Sequence, residues 1–353
     1  VAANITYHEQ TDIDNIRKLR EVLKTLPAFA KDYFRAIEPT TSTKTRISYA
    51  YDIRIFFQFL ISQNPSLAKI GIPNLNVSVL DQLKPIDIEE YMEYLKLYDS
   101  PNDQTTITNG ERGLKRKISS LRSFYTYYYK RQAIETNPVQ LVDMPKIHDK
   151  AIIRLDAGET AALLDYIEHC GDQLTGQRKA YYEKTKLRDL AIVTLLLGTG
   201  IRVSECVGLD VEDIDFRNNG IRLIRKGGSE MVVYFGPEVE KALKDYLESR
   251  KAISPLEGHE HALFYSTQRK RIGVQAVENL VKKYARAITT TKKITPHKLR
   301  STYGTTLYQE TGDIYLVADV LGHKDVNTTK KHYAAMDDAR RRKAATAIRL
   351  RED

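Results

Sequence analysis

The chain has 353 residues, enough for two domains that each bury an apolar interior. Hydrophobic residues make up 42% and charged residues 29%, a balance that excludes an intrinsically disordered chain. The formal net charge of +9 favours a polyanionic partner such as nucleic acid, although solvated lysine and arginine are also the default protein surface.

Two cysteines, Cys170 and Cys206, stand outside any CxxC pair, which argues against a disulfide framework or a cysteine zinc site and fits a reducing cytoplasm. The longest apolar stretch, Leu190 to Leu197, falls far short of the roughly 20 residues of a bilayer span. The opening residues lack a basic-then-apolar secretory signal, so the expectation is a soluble, non-exported protein without a membrane partner.

Taken in chain order, a helical pattern near residues 12–35 comes first. Residues 44–63 follow, placing Ile47, Ala50, Ile53, Phe57 and Leu60 on one apolar helical face that Asn64-Pro65 terminates. A short pattern at 85–97 precedes a long helix from about Gly110 to Gln132. Its buried side carries Leu114, Ile118, Leu121, Phe124 and Tyr128, and Arg112, Lys115, Arg116, Ser119 and Arg122 form a polar stripe opposite. That stripe is a solvated face or, if the chain works on DNA, a track for phosphates.

Asn137 to Ile153, with Pro138 and Pro145, lacks periodicity and reads as a linker, with the domain boundary near 148. The second domain opens with helices at about 157–170 and 184–199. Strand-like sequence then runs from Val211 to Phe235, with turns at Gly220 and at Lys226-Gly227-Gly228. Helices resume at Pro237 and break at Gly258, Pro296, Gly312 and Gly322, ahead of the basic run Arg340-Arg341-Arg342-Lys343.

Three segments concentrate groups suited to phosphate chemistry. In TGIRVSE an apolar helix ends at glycines and presents Arg202 at the start of a new helix that Ser204 or a neighbour caps. In TPHKLR, Pro296 suits a first helical turn and the three-residue spacing sets His297 and Arg300 on one face. In LGH, His323 follows a helix end, and ten positions on stands Tyr333, flanked by Lys330, Lys331 and His332. Positive charge beside a phenol favours the phenolate that a nucleophile requires. His297, His323 and His332 lack an HExxH or cysteine partner and sit among lysines and arginines, so neither metal nor cofactor is expected.

Together these segments resemble the tyrosine recombinases of the phage-integrase type, whose site is read as Arg, Lys, His-x-x-Arg, His or Trp, Tyr. The resemblance implies catalytic Arg202, Lys226 in the hairpin turn, His297, Arg300, His323 and the nucleophile Tyr333, with Glu205 in support. RKISSLRSFYTYYYKRQAIETNP also resembles the last helix of the family's core-binding domain, which would put Arg112, Lys115, Arg116 and Arg122 on DNA. Ser229 and Met231 stand where basic residues often follow the hairpin lysine, and Ser301 replaces a frequent histidine.

The implied fold is mainly α with a small antiparallel β-sheet. It would form a two-domain C-shaped clamp, a helical SAM-like core-binding domain over 1–148 and a catalytic domain over 149–353. The implied activity is site-specific cleavage and rejoining of duplex DNA through a 3′-phosphotyrosyl intermediate, Xer-like or from a mobile element. A homo-tetramer would hold two duplexes, with the helix of about Asp337 to Asp353 docking on a neighbour or folding back on its own domain. Two other readings stay open: a type IB topoisomerase, which would relax plasmids lacking a cognate site, and a DNA-binding protein on the same fold, which would form no covalent adduct.

Overall fold

The computed structural model describes residues 6–99, 105–148, 152–224, 230–323 and 325–327. The chain divides into two compact units, Val1–Asp149 and Lys150–Asp353.

The first unit is helical. α1 (Tyr7–Leu23) opens with a capping box in which Thr6 and Glu9 satisfy one another's backbone amides. The single pattern expected near 12–35 is two helices, because Pro27 lacks an amide and disfavours helical geometry in the residue before it, so α2 (Ala30–Ala36) starts afresh. α3 (Thr43–Gln63), α4 (Pro65–Ile70) and α5 (Pro85–Tyr94) follow. A two-stranded antiparallel hairpin, β1 (Leu97–Asp99) with β2 (Thr106–Thr108), was not legible, since three-residue strands are too short to show alternation. α6 (Glu111–Lys130) and the one-turn α7 (Pro138–Leu141) complete the unit.

Aromatic rings fill the space between these helices. Tyr33 and Phe57 both meet Phe124 edge-on, at 5.1 and 6.1 Å between centroids. The buried phenols find partners: Tyr33 donates to Ser123 Oγ at 2.9 Å and Tyr128 to the Phe29 carbonyl at 2.8 Å. The five apolar positions picked from residues 44–63 all lie in this core.

The linker is tied to α6. Arg122 donates from Nη2 to the Val142 carbonyl at 2.9 Å and from Nε and Nη2 to the Val139 carbonyl at 3.3 and 3.2 Å. Eleven residues earlier on the same helix face, the Glu111 carboxylate accepts the His148 amide at 2.9 Å and meets its ring nitrogen at 2.7 Å. Val139 and Val142 are buried in the first core. The stretch read as an irregular linker is therefore, as far as His148, part of the first unit.

In the second unit, α8 (Ala157–His169) begins with a capping box between Asp156 and Glu159. α9 (Gly176–Thr199) is the central element and packs against α8, α11 (Pro237–Arg250) and α13 (Pro296–Thr311). It starts earlier than its apolar pattern, because residues 176–184 are polar and exposed apart from Tyr182, whose hydroxyl donates to the Ile167 carbonyl at 3.0 Å. The short α10 (Val203–Gly208) leads into a three-stranded antiparallel sheet, β3 (Ile214–Asp215), β4 (Gly220–Ile224) and β5 (Glu230–Tyr234). β4 pairs with β5 from Gly220↔Tyr234 to Ile224↔Glu230, so Lys226 belongs to the connection between them, outside the described residues. α12 (Val274–Ile288), α13 and α14 (Ile314–Leu321) are the last helices among the described residues of this unit.

One buried ionic group braces this core. The Asp189 carboxylate accepts from Arg188 Nη2 at 2.6 Å and from the Tyr284 hydroxyl at 2.9 Å, and Arg188 also donates to the Tyr265 carbonyl, joining α9, α12 and the 259–272 loop.

Both cysteines are free and buried, and burial pushes the Cys206 thiol up to about 12. Native protein treated with a thiol reagent at pH 8 should leave Cys206 unmodified, and denaturant should release two reactive thiols per chain. Rapid native labelling of Cys206 would contradict this packing.

Candidate active site

α9 ends on Gly200, which adopts φ +63. A Cβ there would lie 2.4 Å from Tyr303 and 3.0 Å from Leu321, so both the left-handed turn and the close approach of α13 and α14 demand glycine. The chain turns at once into α10, with Arg202 as its N-cap residue. Glu205 reaches back from the third helical position. Its carboxylate accepts the Arg202 amide at 2.7 Å and Arg202 Nη1 at 2.7 Å. Ser204, one candidate cap from the sequence, is exposed and does not cap the helix.

The far end of α10 is held as well. Arg271 donates from Nη1 to the carbonyls of Val207 and Leu209, at 3.2 and 2.7 Å, and pairs through Nη2 with Asp210. Sequence reasoning missed this residue, which lies in a loop with no motif around it.

α13 starts at Pro296. His297 in its first turn is exposed, whereas Arg300 one turn later is only 5% exposed. Arg300 donates from Nη1 to the Gly200 carbonyl at 2.6 Å and from Nη2 to the Leu321 carbonyl. Those carbonyls terminate α9 and α14, whose C-terminal ends carry partial negative charge, so one buried cation serves two helix ends. α14 stops at Gly322, again left-handed at φ +61, and the Gly322 carbonyl accepts Arg202 Nη2 at 3.3 Å. The half-buried His323 follows, its amide bonded to the Ala318 carbonyl at 2.8 Å.

The structure thus gathers Arg202, Glu205, Arg300 and the backbone entering His323 around the ends of α9 and α14, with His297 one turn before Arg300. Lys226 and Tyr333 lie outside the described residues. Tyr303, the described tyrosine packed on Gly200, has its phenol pushed up by burial, away from the ionised form a nucleophile needs. Among the described residues no group of three or more His, Cys, Asp and Glu side chains is placed to hold a metal ion. The chemistry this arrangement offers is anion binding by a half-exposed guanidinium beside a buried one.

On α6, Arg112 and Lys115 are exposed. Arg116 is 47% exposed at its side chain and paired with the buried Asp52 of α3. Arg122, the fourth cation of the polar stripe, is committed to the linker carbonyls.

The model of the phage integrase family matches residues 154–340. The chain is 32% identical over 346 residues to tyrosine recombinase XerC of Caldanaerobacter subterraneus subsp. tengcongensis, covering 94% of this chain and 90% of that protein. It is 29% identical over 344 residues to tyrosine recombinase XerS of Streptococcus equi subsp. zooepidemicus, covering 92% and 96%. Among solved structures, a Tn1549 transposon integrase in complex with transposon right end DNA superposes with a TM-score of 0.62 at 21% identity, covering 90% of this chain and 98% of that one. The XerH site-specific recombinase bound to palindromic difH substrate superposes at 0.61 and 18% identity, covering 86% and 79%.

Gly200→Ala should lower stability by about 1–3 kcal/mol, because it adds strain at φ +63 and overpacks Tyr303. Arg300→Ala should cost about 2–4 kcal/mol by stranding two buried carbonyls, and Arg300→Lys should not rescue it, since one ammonium lacks the fork that spans both. Urea denaturation of the purified variants measures each, and wild-type stability in Arg300→Ala would contradict the bridge.

Proposed function

This chain is a member of the phage integrase family and a tyrosine recombinase, and we propose that it exchanges DNA strands at a specific site through a covalent 3′-phosphotyrosyl intermediate. The observation that carries the reading is the meeting of Arg202 and Arg300 at the ends of α9 and α14, beside His323.

The Tyr333 phenol attacks a scissile phosphate, the bond to the 5′-oxygen breaks, and a 3′-phosphotyrosine forms. A 5′-hydroxyl from a second duplex reverses the attack, so the phosphodiester is conserved without hydrolysis or a nucleotide cofactor. Arg202 and Arg300 offset the charge that grows on the nonbridging oxygens in the transition state, His297 accepts the Tyr333 proton and helps hold the phosphate, and His323 donates a hydrogen bond to it. Glu205 touches Arg202 and positions it. Lys226 gives a proton to the departing 5′-oxygen.

α6 lies along the duplex with Arg112, Lys115 and Arg116 toward it, the phosphate contacts giving steep salt dependence. Arg122 acts through the linker it holds. Residues 1–148 form the core-binding domain and 149–353 the catalytic domain. Four protomers hold two duplexes, and residues 337–353, which lie outside the described residues, supply the contact exchanged between neighbours. The setting is the cytoplasm, where the DNA is.

Incubated with a duplex nicked near its cognate site, the protein should form a denaturant-stable adduct, and mass spectrometry should place the DNA on Tyr333. Tyr333→Phe should bind the duplex and form no adduct, while Arg202→Ala should form it roughly two to three orders of magnitude more slowly. An adduct that persists in Tyr333→Phe would refute the mechanism.

A further inference from the structure

The outward cations of α6 differ in one respect. Arg112 and Lys115 are exposed and have no ion pair or hydrogen-bond partner among the described residues. Arg116 is tethered: its Nη1 bonds one oxygen of Asp52, whose side chain is 1% exposed, while its own side chain is 47% exposed. The other Asp52 oxygen accepts Lys117 Nζ at 3.3 Å, and Lys117 is buried too.

Two consequences follow from this triad. Lys117 balances the Asp52 charge, so the tether leaves Arg116 with a net positive charge toward solvent. The tether also fixes the guanidinium on a rigid helix before any ligand arrives, which removes most of the rotamer freedom that an arginine otherwise loses on binding. Burial raises the Asp52 carboxyl above its ordinary value, and Lys117 and Arg116 each offset part of that rise.

A mobile cation suits a phosphate, whose charge can be approached from many directions. A base edge requires a donor fork held in one plane, and arginine paired with the O6 and N7 of guanine in the major groove is the commonest such contact. We infer that Arg116 is a specificity-determining residue that reads a guanine edge, that Asp52 is its positioning residue, and that Arg112 and Lys115 follow the backbone. The inference rests on the reading that α6 lies along DNA. Its rival is that Arg116 serves only as counter-ion to a buried carboxylate.

Lysine separates the two, because it can neutralise Asp52 but offers no fork. The test is selection from a randomised duplex pool with full-length wild type, followed by titration of the selected site and of single-base variants. Arg116→Lys should lower the preference for one guanine roughly tenfold to a hundredfold, while affinity for mixed-sequence duplex falls by less than about threefold because the charge remains. Asp52→Asn combined with Lys117→Met, which removes the buried carboxylate and its counter-ion together, should relax the same base position. Arg112→Ala and Lys115→Ala should weaken all sequences alike and flatten the salt dependence. If Arg116→Lys keeps the guanine preference while Arg112→Ala and Lys115→Ala weaken binding, this inference alone falls. If those two alanine variants leave affinity and salt dependence unchanged, α6 is not on DNA and both readings fall.

Discussion

The second unit depends on one buried guanidinium. Arg300 sits where α9 and α14 both run out of hydrogen-bond partners, and it supplies donors to the last carbonyl of each. A buried arginine would be costly alone, and two carbonyl-terminated helix ends facing one another would be costly as well. Together they are complementary, and the same contact sets the distance between the segment bearing Arg202 and the segment bearing His323. Glycine at 200 and 322 fits this, since the backbone turns left-handed at Gly200, which carries one of the carbonyls Arg300 holds, and at Gly322, just beyond the other on Leu321.

Arg202 is built differently. It is half exposed and divides its donors between Glu205 and the Gly322 carbonyl. Arg300 therefore behaves as scaffold and charge at once, whereas Arg202 is the cation a diffusing phosphate would meet first. Arg271 steadies the other end of α10 from a loop remote in sequence. A helix of six residues has little stability of its own, so fixing both its ends is what makes Arg202 a defined point in space.

Much of this was legible in the sequence because the signals are local. The apolar faces of α3 and α6 obey helical spacing, and TGIRVSE, HKLR and LGH are short runs in which glycine, proline and charge each have a positional meaning. The strands on either side of Lys226 were visible from β-branched residues, whereas Gly220, read as a turn, opens β4 and the turn lies before it at 216–219. What was hidden depended on partners distant in the chain. No pattern within α6 says that Arg122 turns back to the linker while Arg116 reaches a carboxylate 64 residues earlier. The polar start of α9 carries no apolar periodicity, and a single tyrosine anchors it. Legibility failed wherever a side chain's role was decided by what another element brought to it.

The fastening of the linker to α6 bears on how such proteins can be recombined at the level of genes. Ile134, Val139 and Val142 are buried in the first unit although they follow its last long helix. A chimaera that grafts this unit onto the catalytic half of a relative must therefore carry the chain through His148. A seam cut at Arg131, where the long helix stops, would expose an aromatic interior missing its final wedge, and Arg122 and Glu111 would be left reaching for a strap that belongs to someone else.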